Sequence, residues 1–274
     1  MFEPAVKWSG SKRSQAGKII EFFPLEINTY YEPFCGGCSV LRRLLDSKIK
    51  VNRFICSDLN NDLINLWNTI KKDPDFLSEH YRQLWNELNI DDDKARKRKY
   101  FEYVREKYNA KRKPEDFLFI MRTTTNGMPR YNKDGKFNNS FHMARNGIQP
   151  DSLSKILKEW SELLNKNNVE FTCCSYDAIN TAEGDLMYLD PPYAATRGMY
   201  FGTINLDSFF DWLRKQKGDY LLSFDGKSGK TDNTYAVPKD LYSKHKYLLS
   251  GNSSFKRIMS ESRNSVVYES LYLK

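Results

Sequence analysis

The chain has 274 residues, of which 40% are hydrophobic and 14% aromatic, a composition that suits a folded protein and excludes wholesale disorder. Its formal net charge of +8 favours a polyanionic partner, because Lys and Arg displace the counterions condensed on phosphates. Five irregularly spaced cysteines, the absence of a secretory leader and the absence of a long apolar run predict a cytoplasmic protein without structural disulfides or membrane spans.

Short apolar runs, each followed by turn residues or a helical pattern, predict the strands of a doubly wound α/β sheet. The five clearest runs are Tyr30–Phe34, Phe54–Asp58, Val169–Cys174, Leu186–Asp190 and Tyr220–Phe224. Two further runs, Tyr247–Ser250 and Val266–Leu273, complete the predicted sheet. The last run alternates in polarity and is predicted to be an antiparallel edge strand.

A glycine-containing segment, Glu32-Pro-Phe-Cys-Gly-Gly37, closes the first predicted strand, and a helical pattern follows it. Glycines at such a junction let a ligand approach the backbone closely. The segment lacks the G-x-G-x-x-G spacing of dinucleotide enzymes, so it gives little support to a nicotinamide cofactor. Asp58 ends the second strand, where a carboxylate can accept both hydroxyls of a ribose. Together these features predict a ligand that carries adenosine.

A long, charge-rich stretch of helical pattern separates the second run from the third and is predicted to be an insertion. Glu102 and Glu106 are outnumbered there by ten Lys or Arg residues, at positions 94, 96, 97, 98, 99, 105, 107, 111, 112 and 113. Two interpretations stay open for this stretch: a solvated helix face, or a surface that contacts phosphates.

The insertion continues into a polar segment whose Asn132-Lys-Asp-Gly135 step is typical of a turn between two short arms. A protruding hairpin is therefore predicted. Arg130, Asn132, Asn138 and Asn139 carry the paired donors and acceptors that read the edges of bases.

The tetrapeptide Asp190-Pro191-Pro192-Tyr193 ends the fourth run, at the sheet edge where open α/β folds bind ligands. Its residue types suit the activation of an aromatic amine, whose lone pair is delocalised into the ring. The Asp190 carboxylate and the Pro191 carbonyl can accept the two amine hydrogens, the adjoining prolines fix the backbone, and Tyr193 offers a face for stacking.

These motifs, in this order, resemble the Dam family of adenine DNA methyltransferases, the alpha-group or D12 class. Lys7-Trp8-Ser9-Gly10-Ser11-Lys12 is similar to the family's opening motif, Phe34-Cys35-Gly36-Gly37 to its cofactor loop, and Ser175-Tyr176-Asp177 to the segment that packs on the cofactor. The resemblance implies that S-adenosylmethionine is held by Trp8, Lys12, Phe34, Cys35, Gly36, Gly37, Asp58, Tyr176 and Asp190. It also implies catalysis by Asp190, Pro191, Pro192 and Tyr193 without a metal.

The resemblance further implies a Rossmann-like methyltransferase sheet formed by residues 1–68 and 160–274. A mainly helical target-recognition domain, residues 69–159, would carry the β-hairpin. The residues then expected to contact DNA are Arg122, Asn126, Met128, Arg130, Asn132, Lys136, Asn138 and Asn139. Arg130 is the best candidate for reading a guanine. Thr125 and Ser140-Phe141-His142 depart from the pattern of GATC methylases, so the recognition sequence stays open.

The expected function is transfer of a methyl group from S-adenosylmethionine to N6 of a flipped-out adenine in double-stranded DNA. The alternatives are an N4-cytosine methyltransferase, which Asp190 disfavours because those enzymes usually carry Ser there, and a catalytically inactive DNA-binding regulator. A methylase of RNA or protein is a weaker third. The expected partner is double-stranded DNA, and a separately acting restriction endonuclease stays open. The protein is expected to be a monomer or a weak dimer that does not bind membranes.

Overall fold

The computed structural model describes residues 2–192, 204–229, 231–252 and 266–274. Tyr193 of the predicted catalytic tetrapeptide lies outside the described residues. The chain divides into two compact units. We call residues 2–11 and 58–173 the hairpin unit, and residues 12–57 together with the described residues from 174 onward the sheet unit.

The described chain contains both helices and strands, with a run of helices from residue 61 to residue 166 and a run of strands from residue 219 to residue 273. The helices are α1 (Ala16–Ile20), α2 (Ser39–Leu45), α3 (Asn61–Lys72), α4 (Pro74–Leu88), α5 (Lys94–Lys111), α6 (Pro114–Thr123), α7 (Pro150–Lys166) and α8 (Leu206–Arg214). The strands are β1 (Glu26–Glu32), β2 (Lys50–Asp58), β3 (Glu170–Cys173), β4 (Leu186–Leu189), β5 (Asp219–Phe224), β6 (Lys227–Ser228), β7 (Thr231–Asp232), β8 (Lys244–Asn252) and β9 (Val266–Leu273). Each predicted run overlaps a strand, which confirms the α/β class.

Strands β1, β2, β4 and β5 are all parallel, but the side on which the chain adds each new strand changes beside β1. Strand β1 pairs in parallel with β2 on one side and with β4 on the other, and β4 pairs in parallel with β5. The chain thus adds β2 on one side of β1 and later adds β4 and then β5 on the other side, a reversal of strand order. In open α/β sheets, ligands bind at the carboxyl ends of the strands that flank such a reversal. The glycine-containing segment follows β1 at this edge, and Asp190 follows β4.

The last strand, β9, is antiparallel to β5, as predicted, but it does not form an edge of the sheet. Leu273 pairs with both Leu221 of β5 and Lys244 of β8, so β9 has a partner on each side. The expectation of an edge strand was wrong because β8, which contains the predicted run Tyr247–Ser250, pairs with β9 on the side away from β5, and a sequence pattern does not show which strands pair.

Each unit buries aromatic and aliphatic side chains. In the sheet unit, Met187 and Leu189 of β4 are buried in one cluster with Phe209 of α8 and Leu222 of β5. Asn205 caps α8 by accepting a hydrogen bond from the Ser208 amide at 3.0 Å. A core that joins β4, β5 and α8 holds the carboxyl ends of these two strands at fixed positions.

In the hairpin unit, the Trp67 ring lies 4.9 Å from that of Trp160 and stacks on Phe171 at 5.5 Å. Asp73 caps α4, in which Pro74 occupies the first turn. The segment 69–159 lies wholly within this unit and is mainly helical. Its boundaries as a recognition domain remain a prediction. Among the described helices, none is both long and apolar enough to cross a membrane.

Candidate active site and nucleic-acid interface

A tight, buried turn follows β1. The Cys35 amide donates to the Ser57 carbonyl at 3.0 Å, and the Cys38 amide donates to the Cys35 carbonyl at 2.7 Å. Gly36, between the two cysteines, has a φ of 44°, a conformation that side chains disfavour. The predicted cofactor loop is therefore a backbone turn held by β2 and shaped by a glycine.

Two of the predicted cofactor-binding side chains belong to one aromatic group. The Tyr176 ring lies 5.8 Å from Phe34, 5.1 Å from Phe209 and 5.0 Å from Trp212. The indole of Trp212 is itself anchored by a 2.9 Å hydrogen bond to the Ile179 carbonyl. Packing against α8 therefore orients Tyr176 and Phe34, and both rings stay partly accessible.

Asp190 forms an ion pair with Lys12, which was also predicted to bind the cofactor. The Lys12 ammonium lies 2.7 Å from the Asp190 carboxylate, and the two side chains are 6% and 18% exposed. The amides of Gln15 and Ala16 donate to the Lys12 carbonyl, so the turn that starts α1 positions this lysine. Burial disfavours the ammonium, but the carboxylates of Asp190 and Glu269 raise the pKa of Lys12 above its ordinary value. Lys12 is therefore a cation at neutral pH.

Three further acids lie at the same edge, and none was predicted. Glu32 ends β1, Asp225 follows β5, and Glu269 lies on β9, whose Ser270 pairs with Phe224 at the end of β5. Burial, together with Glu269, raises the pKa of Asp225 to about 6, while Lys12 acts in the opposite sense. Asp225 follows a predicted strand, as Asp190 does, and that signal could have identified it. Glu269 lies inside a strand and gives no such signal.

Glu32 is almost fully buried below the turn. Burial raises the pKa of Glu32 to about 8, although the Tyr30 hydroxyl and the Leu41 amide donate to its carboxylate at 2.7 and 3.0 Å. Near neutral pH this side chain is therefore largely a neutral acid, in contrast to Asp190 with its lysine partner.

Two other predicted cofactor-binding residues, Trp8 and Asp58, belong to the hairpin unit. Next to Trp8, the Ser9 amide donates to the Gly127 carbonyl at 2.9 Å. The Asp58 carboxylate accepts a hydrogen bond from the Asn60 amide at 3.0 Å. Their contribution to cofactor binding stays a prediction.

The predicted hairpin is present. Tyr131 bridges Phe137 and Thr124 bridges Phe141 across two antiparallel arms. At the tip the Asn132 amide donates to the Lys136 carbonyl at 2.8 Å. Gly135 has a φ of 71°, which explains why glycine occupies the turn.

Some residues predicted to contact DNA instead hold the hairpin together. The Asn139 amide group donates to the carbonyls of Thr125 and Met128, each at 3.0 Å. The Asn132 side chain accepts from the backbone amides of Asp134 and Lys136. These two asparagines shape the loop, while Met128 is half-buried beside it.

Arg122 also has a structural position: its guanidinium donates to the carbonyls of Pro4 and Ala5. The remaining predicted residues are exposed, and they are Asn126, Arg130, Lys136 and Asn138. The side chains available to an external partner are therefore a subset of those chosen by motif. Contact with DNA remains a prediction for all of them.

The basic residues in and just after helix α5 fall into two groups, and phosphate contact by the exposed group remains a prediction. Arg112, which follows the last residue of α5, donates to the Gly135 carbonyl and pairs with Asp62 at 3.1 Å. Asn109 donates to the Phe137 carbonyl and accepts from the Phe137 amide, at 3.0 and 2.8 Å. Part of the helix thus supports the hairpin, and sequence reasoning missed this role. Other basic residues are exposed, namely Lys94, Arg98, Lys99, Lys111 and Lys113.

Comparisons with known proteins agree with this arrangement. The Type II methyltransferase M.MjaIII of Methanocaldococcus jannaschii is 34% identical over 206 residues, which cover 70% of this chain and 69% of that protein. A DNA adenine methylase of Haemophilus influenzae is 30% identical over 199 residues, covering 70% and 64% of the two chains. M.FokI of Planomicrobium okeanokoites is 28% identical over 216 residues, covering 77% of this chain but 32% of its own length.

Among solved structures, the 23S rRNA methyltransferase ErmE matches with a TM-score of 0.38 at 8% identity, covering 96% of this chain and 69% of that one. This likeness is too distant to support a common function. A family model described as D12 class N6 adenine-specific DNA methyltransferase matches residues 8–263. That match spans both units and every motif at the sheet edge. The chain belongs to the family of D12 class N6 adenine-specific DNA methyltransferases.

Proposed function

We propose that this chain transfers a methyl group from S-adenosylmethionine to N6 of an adenine in double-stranded DNA, with Asp190 holding the amine. The observation that carries the proposal is the position of Asp190. It follows β4 at the reversal point of the sheet, 2.7 Å from the buried Lys12 ammonium. An acceptor with a fixed position at a ligand-binding edge is what amine activation requires.

The residues at this edge fit a methyl donor that carries a sulfonium charge. Asp190, Asp225 and Glu269 all lie near the Lys12 ammonium, and a group of carboxylates favours a positively charged ligand. The Gly36 turn and the partly accessible Phe34 and Tyr176 rings suit an adenosine group, and Lys12, Phe34, Gly36, Gly37 and Tyr176 would hold the donor. S-adenosylmethionine supplies an electrophilic methyl group.

The protein's part in the reaction is to hold the acceptor amine. The Asp190 carboxylate and the Pro191 carbonyl accept the two amine hydrogens, which frees the nitrogen lone pair for attack. Pro191 is buried and has a proline on its C-terminal side, so its carbonyl is rigidly placed. Lys12 holds the carboxylate in position. The adenine nitrogen is itself the nucleophile: the nitrogen–methyl bond would form as the sulfur–methyl bond breaks, S-adenosylhomocysteine would leave, and the nitrogen would give up one proton. Because no protein nucleophile is needed, positioning and electrostatics supply most of the acceleration.

The exposed residues of the hairpin provide the DNA contacts in this proposal. Arg130 has the geometry to pair with both acceptors of a guanine, while Lys136 suits a phosphate. Asn126 and Asn138 add neutral donors and acceptors. The target adenine would leave the duplex to reach the sheet edge, at a cost of a few kcal/mol that backbone contacts offset.

Substitution of Asp190 tests the proposal. Asp190→Ala should reduce incorporation of tritiated methyl groups by roughly a thousandfold or more, because an amine without its acceptor is a poor nucleophile. Binding of S-adenosylmethionine, measured by calorimetry, should persist. Asp240→Ala is the matched control, since Asp240 pairs with Arg214 at 2.7 Å on the exposed surface.

Full activity of Asp190→Ala would contradict the proposal. Nucleoside analysis of the methylated DNA should yield N6-methyladenine, and N4-methylcytosine would instead establish the cytosine alternative. A wild-type chain that binds DNA but neither binds the methyl donor nor methylates would be the inactive regulator.

A further inference from the structure

Glu269 belongs to none of the sequence motifs, yet it contacts the site. One oxygen of its carboxylate lies 3.3 Å from the Lys12 ammonium. The other accepts a 3.0 Å hydrogen bond from the Ser250 hydroxyl of β8. Glu269 pairs with Leu248 of β8, and the next residue, Ser270, pairs with Phe224 of β5, so both neighbouring strands hold the backbone around Glu269.

Lys12 is therefore shared between two carboxylates. The ammonium has three donors and is only 6% exposed, whereas Asp190 and Glu269 are 18% and 19% exposed. A buried lysine with one carboxylate partner keeps rotational freedom about that contact. A second carboxylate on another strand removes this freedom and divides the positive charge between two acceptors.

We propose that Glu269 is a positioning residue for methyl transfer, which acts through Lys12 to set both the place and the acceptor strength of the Asp190 carboxylate. The inference rests on the proposed function. Glu269 contacts Lys12, and in this proposal its effect reaches the substrate through the ion pair of Lys12 with Asp190.

The sign of the effect follows from electrostatics. When the charge of Glu269 is removed, Lys12 loses this carboxylate partner and draws more of the negative charge of Asp190. Asp190 then becomes a weaker acceptor for the amine hydrogens. The loss is expected in the chemical step, because Asp190 interacts most strongly with the amine as positive charge develops on nitrogen.

The first test is Glu269→Gln, which keeps the shape of the side chain and its bond to Ser250. We expect kcat to fall about 10- to 100-fold, as for other groups that orient a catalytic residue, with KM for DNA changed less than about threefold. Glu269→Asp, which keeps the charge, should recover at least part of kcat. The matched control is Glu26→Gln, because Glu26 pairs with Lys50 at 2.8 Å while 74% exposed.

The second test is a double-mutant cycle with Lys12→Met. If Glu269 acts through Lys12, Glu269→Gln should change single-turnover rates in the Lys12→Met background less than about twofold, so the two losses do not add. Circular dichroism and melting temperature of each variant establish that it is folded before its rate is compared.

Wild-type kcat in a folded Glu269→Gln variant would overturn the inference, and so would additive losses in the cycle. Recovery by Glu269→Asp together with non-additive losses supports it. The Asp190→Ala result separates the two proposals. An inactive Asp190→Ala beside a fully active Glu269→Gln refutes only the role of Glu269, whereas a fully active Asp190→Ala refutes the proposed function itself.

Discussion

The carboxyl edge of the sheet and the hairpin of residues 124–141 are both rich in polar residues, but they are held together by different forces. At the sheet edge, Lys12 lies between Asp190 and Glu269, and Glu32 is buried nearby as an acid with a raised pKa. In the hairpin, Asn132 and Asn139 bind backbone groups, and Gly135 adopts a left-handed conformation. The edge depends on charge and the hairpin on neutral amides and backbone shape.

This difference changes how motif residues are interpreted in each region. At the edge, its strand and its lysine partner fix the side chain of Asp190, which the proposed function makes the acceptor for the amine. In the hairpin, asparagines that suit base recognition by chemical type are already hydrogen-bonded within the loop. The side chains left for an external partner are then the exposed ones, such as Arg130 and Asn138.

Because Glu32 is a buried acid at the sheet edge, we expect the free energy of unfolding to depend on pH through this residue. The neutral amides of the hairpin give no such dependence. The pKa of Glu32 is about 8 in the folded protein against an ordinary 4.5. Between about pH 4.5 and about pH 8, Glu32 therefore keeps its proton in the folded state but loses it in the unfolded state. The free energy of unfolding falls as pH rises across that interval. Glu32→Gln removes this loss and should stabilise the protein by about 4 kcal/mol at pH 8.

Urea unfolding at pH 5 and pH 8 would measure this effect, with most of the gain seen at pH 8. The matched control is Glu26→Gln, at an exposed position of the same strand. An equal gain at both pH values would show that burial of the Glu32 charge is not its cause.

Two glycines of the hairpin, one at its base and one at its tip, should differ in how much an added side chain destabilises the protein. Gly127 at its base has a φ of 61°, and an added Cβ would lie 2.7 Å from the Lys7 side chain and 2.9 Å from the Lys7 carbonyl oxygen. Gly135 at its tip has a φ of 71° with nothing within 4 Å. Gly127→Ala should therefore cost about 3 kcal/mol, from backbone strain plus a clash, and Gly135→Ala about 1 kcal/mol, from backbone strain alone.

The free energy of unfolding of both glycine variants would test this difference. Equal losses would contradict the close packing of Lys7 against the base of the hairpin.

The smallest effects should separate two neighbouring asparagines. Asn139→Ala removes two hydrogen bonds to backbone carbonyls and should cost about 1–2 kcal/mol of stability. Asn138 is exposed, so Asn138→Ala should change stability by less than about 0.5 kcal/mol. DNA affinity compared at a fixed salt concentration should fall for Asn138→Ala without a change in stability. A larger loss of stability for Asn138→Ala than for Asn139→Ala would refute the assignment of Asn139 as structural and Asn138 as merely exposed.

Local sequence patterns predicted much of this molecule because their physical causes are local. Apolar runs located β4 and β5, since both strands are buried on both faces and such a strand needs continuous apolar residues. The turn at Asn132–Gly135 was predicted because glycine accepts a positive φ at low cost. The α/β class and the placement of Asp190 at a ligand-binding edge followed from these patterns, and the family comparison agrees with them.

Tertiary structure alone decided which side chains work together. Glu269 and Lys12 come from opposite ends of the chain, and only the pairing of β9 with β5 and β8 brings Glu269 to this edge. Asn138 and Asn139 are identical in type and adjacent in sequence. One is exposed while the other binds backbone carbonyls, because the arms of the hairpin face each other at one position and solvent at the next. Residue type thus determined the available chemistry, and long-range contacts determined where it is used.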